Sequence, residues 1–336
     1  MSPLRIVFCG TPQFAVPSLQ HLLQQPDFQI VGVFTQPDRP KGRGQEIAFP
    51  PVKEVALAAS LPVHQPVKVR APEIEEQLRA LAPDVIVIIA YGQIIPARLL
   101  SIPEFGWINL HASLLPKYRG AAPIHWAIAN GETRTGNTTM RIDAGMDTGE
   151  ILLQQELGIG PDETAPEVAA RLAEAGAPLM AATLRGLVAG TLNGQAQNNA
   201  AASLAPILKR EDGRIDWARS AQEIYNRMRG FAPWPGAYTE FRGQTCHVLG
   251  RPLAAGDLPT KIGGEGSSLK SDGEPPHSNV GLPGTVTEAG GSLQVICGQG
   301  SVLKLTSVKL EGRKQVTAGE FARGARLQAN ERLGKV

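Results

Sequence analysis

Asp84-Val85-Ile86-Val87-Ile88-Ile89-Ala90 decides the fold. A strand with one wet face alternates polar and apolar residues, so an unbroken β-branched run implies a strand covered on both faces. Such a strand belongs in a parallel sheet between helices, and the flanking sequence supplies both. Leu4–Phe8, Ile30–Phe34 and Trp107–Leu110 are further short strands by composition. Val16–Gln24, Val52–Ser60 and Glu73–Leu81 carry apolar residues at helical spacing, and Pro17 is tolerable in a first turn. This alternation predicts an α/β fold with a doubly wound, mostly parallel sheet at the N-terminal side.

Pro166–Val188 reads as one long helix, or as two halves broken near Gly176-Ala177-Pro178. Asn193–Ala202 is polar and low in complexity, which suits a linker. The expected organisation is therefore a domain over 1–190, a linker over 191–204 and a second domain over 205–336. That second domain has one helix, Ser220–Met228, followed by short strands at Ala237–Phe241, Thr245–Leu249, Gly284–Thr287, Gly291–Cys297 and Val302–Leu310. Short strands separated by turn residues predict a small β-barrel. Gly256–Pro283 is rich in Gly, Ser and Pro and is expected to be an extended, mobile loop.

The 336 residues carry 33 Lys+Arg against 31 Asp+Glu, a formal charge of +2 that hides an asymmetry. Residues 1–200 hold 15 basic and 18 acidic side chains, net −3, and residues 201–336 hold 18 and 13, net +5. The 42% apolar content excludes a disordered chain. Cys9, Cys246 and Cys297 are widely spaced with no CxxC, so neither a disulfide framework nor a zinc site is expected. Buried thiols in a reducing compartment, the cytoplasm, are the expectation. No apolar stretch reaches the ~18 residues of a membrane span, and Leu4–Phe8 ends in a glycine turn, so it reads as a strand and not a leader. No apolar helix face is left over, so a monomer is expected.

Gly10-Thr11-Pro12 lies between a strand and a helix, but it lacks the GxGxxG pattern and Pro12 removes a donor, so no dinucleotide site is expected. The densest polar cluster runs from Asn109 to Gly120 (NLHASLLPKYRG). The two-residue strand period puts Asn109 and His111 on one side, where an amide and an imidazole suit a developing oxyanion. A turn-capping Asn109 and a satisfied core histidine are the competing reading. Asp143-Ala144-Gly145-Met146-Asp147-Thr148-Gly149 is a tight loop between apolar strands. It is either an ordinary hairpin turn with Asx hydrogen bonds, or it presents a carboxylate to His111. Thr35–Gly44 carries Arg39, Lys41 and Arg43 on a Gly/Pro-rich segment, which is either a solvated surface loop or a grip on a phosphate backbone.

Phe8–Pro17 (FCGTPQFAVP), Asn109–Ile128 (NLHASLLPKYRGAAPIHWAI), Arg141–Ile151 (RIDAGMDTGEI), Arg214–Trp217 (RIDW), Pro233–Tyr238 (PWPGAY) and Ala325–Leu327 together resemble the methionyl-tRNA formyltransferases, within the formyltetrahydrofolate-dependent formyltransferases. The resemblance covers nearly the whole chain. It implies an N-terminal Rossmann-like catalytic domain and a C-terminal OB-like domain. It also implies formyl transfer from 10-formyltetrahydrofolate to the α-amine of methionyl initiator tRNA, with no metal, since the folate carries the activated carbon. By motif position, Asn109, His111 and Asp147 match the catalytic trio, and Ser113, Leu114, Leu115 and Pro116 match the folate-binding segment. Arg43 matches the basic position near the tRNA acceptor end, with Arg39 and Lys41 beside it. Asn137, Gln45-Glu46 and the Gly256–Pro283 insertion depart from the family pattern.

A formyltransferase acting on a small amine, or a formyltetrahydrofolate hydrolase, shares the catalytic motifs but does not require the basic loop and basic second domain. A catalytically silent RNA-binding module has no reason to keep an amide, an imidazole and a carboxylate at convergent loop ends.

Overall fold

Val85–Ile89 is buried along its whole length because it lies in the middle of a seven-stranded sheet. The computed structural model describes residues 2–41, 46–253, 281–289, 291–328 and 331–334. In chain order the strands of the first unit are β1 (Leu4–Gly10), β2 (Phe28–Phe34), β3 (Arg39–Lys41), β4 (Glu46–Ala48), β5 (Val63–His64), β6 (Val85–Ile89), β7 (Trp107–His111), β8 (Arg134–Arg141) and β9 (Ile151–Gly158). Its helices are α1 (Val16–Leu23), α2 (Pro51–Ala58), α3 (Pro72–Leu81), α4 (Ala97–Leu100), α5 (Pro123–Ala129) and α6 (Ala165–Val188). The sheet order is β5-β2-β1-β6-β7-β8-β9; the pairs up to β7 are parallel, and β8 and β9 join antiparallel.

Alternate residues of the same strands enter different cores. Phe8, Val87 and Ile89 pack with α1, α2 and α6, whereas Cys9, Ile86 and Ile88 pack with α3 and α4. Each buried Val or Ile contributes about 1.5–3 kcal/mol relative to an exposed one. The chain runs from β1 outward to β2 and β5, then returns to β6 on the other side of β1. That reversal opens a crevice beyond the carboxyl ends of β1 and β6. Gly10 permits it: a Cβ there would sit 2.8 Å from the Phe8 ring and 2.9 Å from the Ala15 methyl.

α6 is one continuous helix with Pro178 inside it, opened by a capping box between Thr164 and Glu167. Gly176 lets it press onto Leu110 and Asn137. Asn137, the polar departure on β8, donates from Nδ2 to the Leu172 carbonyl at 2.8 Å, while its Oδ1 is buried without a partner among the described residues.

Two expectations change. Residues 191–204 are no free linker: Gln195 and Ile151 exchange main-chain bonds of 2.9 and 2.8 Å, and Arg119 N donates to Ser203 O at 2.8 Å. Polar composition does not distinguish a solvated segment from one tied down by main-chain bonds. The compact units are 1–127 with 132–207, and 208–336 with 128–131. Nor is the described part of Thr35–Gly44 a loose loop, because β3 and β4 form a hairpin with Arg39 opposite Ala48. Lys53 bonds Asp38 at 2.6 Å, and Gln65 bonds it at 2.7 Å; Lys53 first, then Gln65, hold the Asp38 carboxyl below the usual carboxylate range.

The second unit contains α7 (Ala221–Gly230), β10 (Tyr238–Phe241), β11 (Gln244–Pro252), β12 (Val286–Ala289), β13 (Ser292–Ile296), β14 (Val302–Leu310), β15 (Val316–Thr317) and α8 (Ala318–Ala325). Its antiparallel sheet runs β10-β11-β14-β13-β12, with β15 against β14. α8 packs Phe321 edge-on against Phe241, with ring centroids 5.0 Å apart. The expected mobile loop at Gly256–Pro283 lies outside the described residues except for 281–283. Among the described residues no helix is long and apolar enough to cross a membrane.

His64 stacks on Phe34 with centroids 4.6 Å apart, and its Nε2 is buried without a partner among the described residues. Burial lowers its pKa from the ordinary 6.5, so between the two values the unfolded chain binds more protons than the folded one. The stability this site contributes is complete above about pH 6.5 and is lost as pH falls below it. Urea midpoints measured from pH 7 to pH 5 are expected to fall, and His64→Phe is expected to flatten that slope.

Candidate active site

Asn109 and His111 leave β7 on the same side, beside Met140 and Thr138 of β8. The His111 ring is only 5% exposed, so each nitrogen faces a protein group or a small gap. Its Nε2 lies 2.9 Å from the Tyr118 carbonyl oxygen. A carbonyl only accepts, so Nε2 carries a hydrogen and donates it. Nδ1 faces Asp147 Oδ2 at 3.6 Å, longer than a hydrogen bond. That oxygen accepts instead from the Gly120 N–H at 2.8 Å. Asn109 is half-buried, and its carboxamide makes no hydrogen bond with any group among the described residues.

Both residues that address the ring have left-handed backbones: φ is 62° at Tyr118 and 53° at Asp147. For a side chain other than glycine this costs on the order of 1–3 kcal/mol, and it persists only where surroundings over-determine it. Asp143 supplies part of that constraint, accepting from Gly145 N at 3.0 Å and from the Thr148 hydroxyl at 2.7 Å. The Asp143–Gly149 loop therefore satisfies both readings: Asp143 makes the Asx turn and Asp147 is turned toward His111. Gly149 has no room for a Cβ against the Arg141 carbonyl.

Of the segment expected to bind folate, Ser113 and Leu115 are buried and hold the loop. The Ser113 hydroxyl donates to the Lys117 carbonyl at 2.6 Å. Thr138 Oγ1 donates to Ser113 O at 2.6 Å and accepts from Leu115 N at 3.1 Å. Only Leu114 and Pro116 keep side-chain surface, being half-buried. Arg39 is exposed and lines a crevice of about 460 Å³ with Thr11, Gln36, Phe49 and Tyr91. Ile88 pairs with Asn109, so the crevice wall that continues from β6 adjoins the end of β7. Lys41 lies on β3 with its side chain outside the description, and Arg43 is outside the described residues. Among the described residues no cluster of His, Cys, Asp and Glu is placed to hold a metal ion.

Two residues that pattern reading missed touch this site. Arg119 is 7% exposed and donates to Gln197 Oε1 from Nε and Nη2 at 3.1 and 2.8 Å. Gln197 Nε2 donates to the carbonyls of Asp147 and Gly149 at 2.9 and 2.7 Å. The arginine sits inside the conspicuous NLHASLLPKYRG cluster, but the glutamine lies in a polar run with no signal of its own.

The formyl transferase family model matches residues 4–184, and the formyl transferase C-terminal domain model matches 207–326. A methionyl-tRNA formyltransferase of Acidobacterium capsulatum is 51% identical over 332 residues, 98% of this chain and 100% of the relative. One of Solibacter usitatus is 50% identical over 333 residues, 99% of each. Among solved structures, the N-formyltransferase from Helicobacter canadensis in complex with folinic acid and dTDP-3-aminofucose has the same fold. It gives a TM-score of 0.61 at 18% identity, covering 91% of this chain and 99% of that one.

Thr138→Val is nearly isosteric but strands Ser113 O and Leu115 N inside the protein. Leaving a buried polar group unpaired costs about 1–3 kcal/mol. Urea denaturation is expected to show a loss of that size; an unchanged midpoint contradicts the role given to Thr138.

Proposed function

The chain belongs to the formyl transferase family, and we propose that it moves a formyl group from 10-formyltetrahydrofolate onto the α-amino group of methionyl initiator tRNA. The observation that carries this reading is the similarity to methionyl-tRNA formyltransferases at 51% identity over 98% of the chain, both units included. Asn109 and His111 on β7, with Asp147 from the loop between β8 and β9, supply the chemistry.

An amine attacking the formyl carbon builds negative charge on the formyl oxygen, and donors aimed at that oxygen lower the barrier. Asn109 offers an amide with no competing partner. His111 offers Nδ1 alone, because Nε2 is committed to Tyr118: the imidazolium donates from Nδ1, and the neutral ring takes a proton there. The Asp147 carboxylate lies close enough to stabilise the positive ring and to pass on the proton released by the amine, through a bridging water. 10-Formyltetrahydrofolate supplies the activated one-carbon unit: as the tetrahedral intermediate collapses, the bond from the formyl carbon to N10 breaks, and tetrahydrofolate leaves with the proton given up by the amine. The carboxamide of Asn109 suits a ligand's polar carbonyl, and half-buried Leu114 and Pro116 keep apolar surface for a ring.

Arg39, Lys41 and Arg43, with the net charge of +5 over residues 201–336, support a polyanionic substrate. The short antiparallel strands of the second unit support an OB-like barrel as the RNA-facing module. All three proposed catalytic groups come from one unit, so a monomer suffices. Three buried free thiols, Cys9, Cys246 and Cys297, support a reducing compartment, the cytoplasm.

Supplied with 10-formyltetrahydrofolate and charged initiator tRNA, the protein is expected to yield formylmethionine. Asn109→Ala and His111→Ala are each expected to lower turnover by about 10²–10³ with tRNA binding retained. Near-normal turnover in both sinks the assignment. Arg39→Ala is expected to reduce the slope of log K against log salt by about 1, as the loss of one phosphate contact does.

A further inference from the structure

We infer that Gln197 and Arg119 are positioning residues of the formyl-transfer site, holding Asp147 opposite His111 from the segment that follows α6. The inference rests on the catalytic trio proposed above. A glutamine carboxamide has two donor hydrogens and one acceptor oxygen with two lone pairs. Gln197 uses all of them: Oε1 receives two N–H groups of Arg119, and Nε2 donates to the carbonyls of Asp147 and Gly149.

These four bonds cross-link the two loops that touch the His111 ring. Tyr118 holds Nε2, its neighbour Arg119 is the residue clasped by Gln197, and Gly120 holds the Asp147 carboxylate. Asp147 is thus fixed twice, by its side chain on Gly120 N and by its carbonyl on Gln197, at a residue whose left-handed backbone needs such support. Arg119 is locked in turn. Its Nη2 also donates to Asn199 Oδ1 at 2.9 Å, and its main chain pairs with Ser203 and Ala205. The 3.6 Å separation of Nδ1 and Oδ2 is therefore braced by residues 197–205, outside both loops.

A merely structural Gln197 would anchor its own segment to Arg119 and nothing more. Gln197→Glu separates the two roles, since a carboxylate still accepts from Arg119 but donates nothing to the Asp147 and Gly149 carbonyls. In the full-length enzyme, Gln197→Glu and Gln197→Ala are expected to lower kcat by about 10²-fold, as small misplacements of a reacting group do, with KM for donor and tRNA little changed. Single-turnover rates complete a double-mutant cycle with Asp147→Asn. If Gln197 acts through Asp147, adding Gln197→Ala to Asp147→Asn costs no further rate. An equal loss in both backgrounds, or Gln197→Glu at wild-type kcat, overturns the inference while leaving the trio standing. Full activity of Asp147→Asn overturns the trio, and the positioning role with it. Thermal melts run alongside; a rate loss that only follows the unfolded fraction also counts against positioning.

Discussion

A carbonyl oxygen cannot donate, and the one that Tyr118 points at His111 settles which imidazole nitrogen is turned to Asp147. Nε2 is committed at 2.9 Å, so Nδ1 is the nitrogen that faces Asp147 across a 3.6 Å gap. The rest of the first unit serves to keep that bond and that gap. β7 places the ring, β8 braces the Ser113–Pro116 turn through Thr138, and two left-handed residues bring a carbonyl and a carboxylate to the ring edge. Their strain is offset by hydrogen bonds from Gly120, Gln197 and the segment up to Ala205.

The fold positions this cluster for a reason visible in its topology. A doubly wound sheet opens a crevice where the strand order reverses, beyond the carboxyl ends of β1 and β6, and β7 is the next strand over. Arg39 lines that opening, and Asn109 is paired in register with Ile88 of the strand that leads into it. The charge follows the same division, with net −3 over residues 1–200 and +5 over 201–336.

Much of this was legible in the residues. The β-branched run of β6 cannot be half wet, and the two-residue period aligns Asn109 with His111 without any coordinate. The glycines of Asp143–Gly149 signal a turn tight enough to aim an aspartate, though spacing alone did not say which. Asp143 closes the turn and Asp147 faces the ring. Gln197 stayed hidden because a hydrogen-bonded amide and a solvated one have the same composition, and so residues 191–204 read as a linker. Ser113 and Leu115 stand in the stretch that resembles the family's folate-binding segment, and packing adds what the pattern does not carry, that both side chains face inward. Helix α8 escaped a pattern dominated by strands, although Thr317 and Glu320 spell a capping box at its start.

The Tyr118 carbonyl fixes the neutral His111 tautomer with its hydrogen on Nε2. Nitrogen-15 NMR of the protein with labelled histidine tests this most directly. The neutral His111 is expected to carry its hydrogen on Nε2, with Nδ1 the bare nitrogen. A neutral His111 protonated on Nδ1, with a bare Nε2, would contradict it.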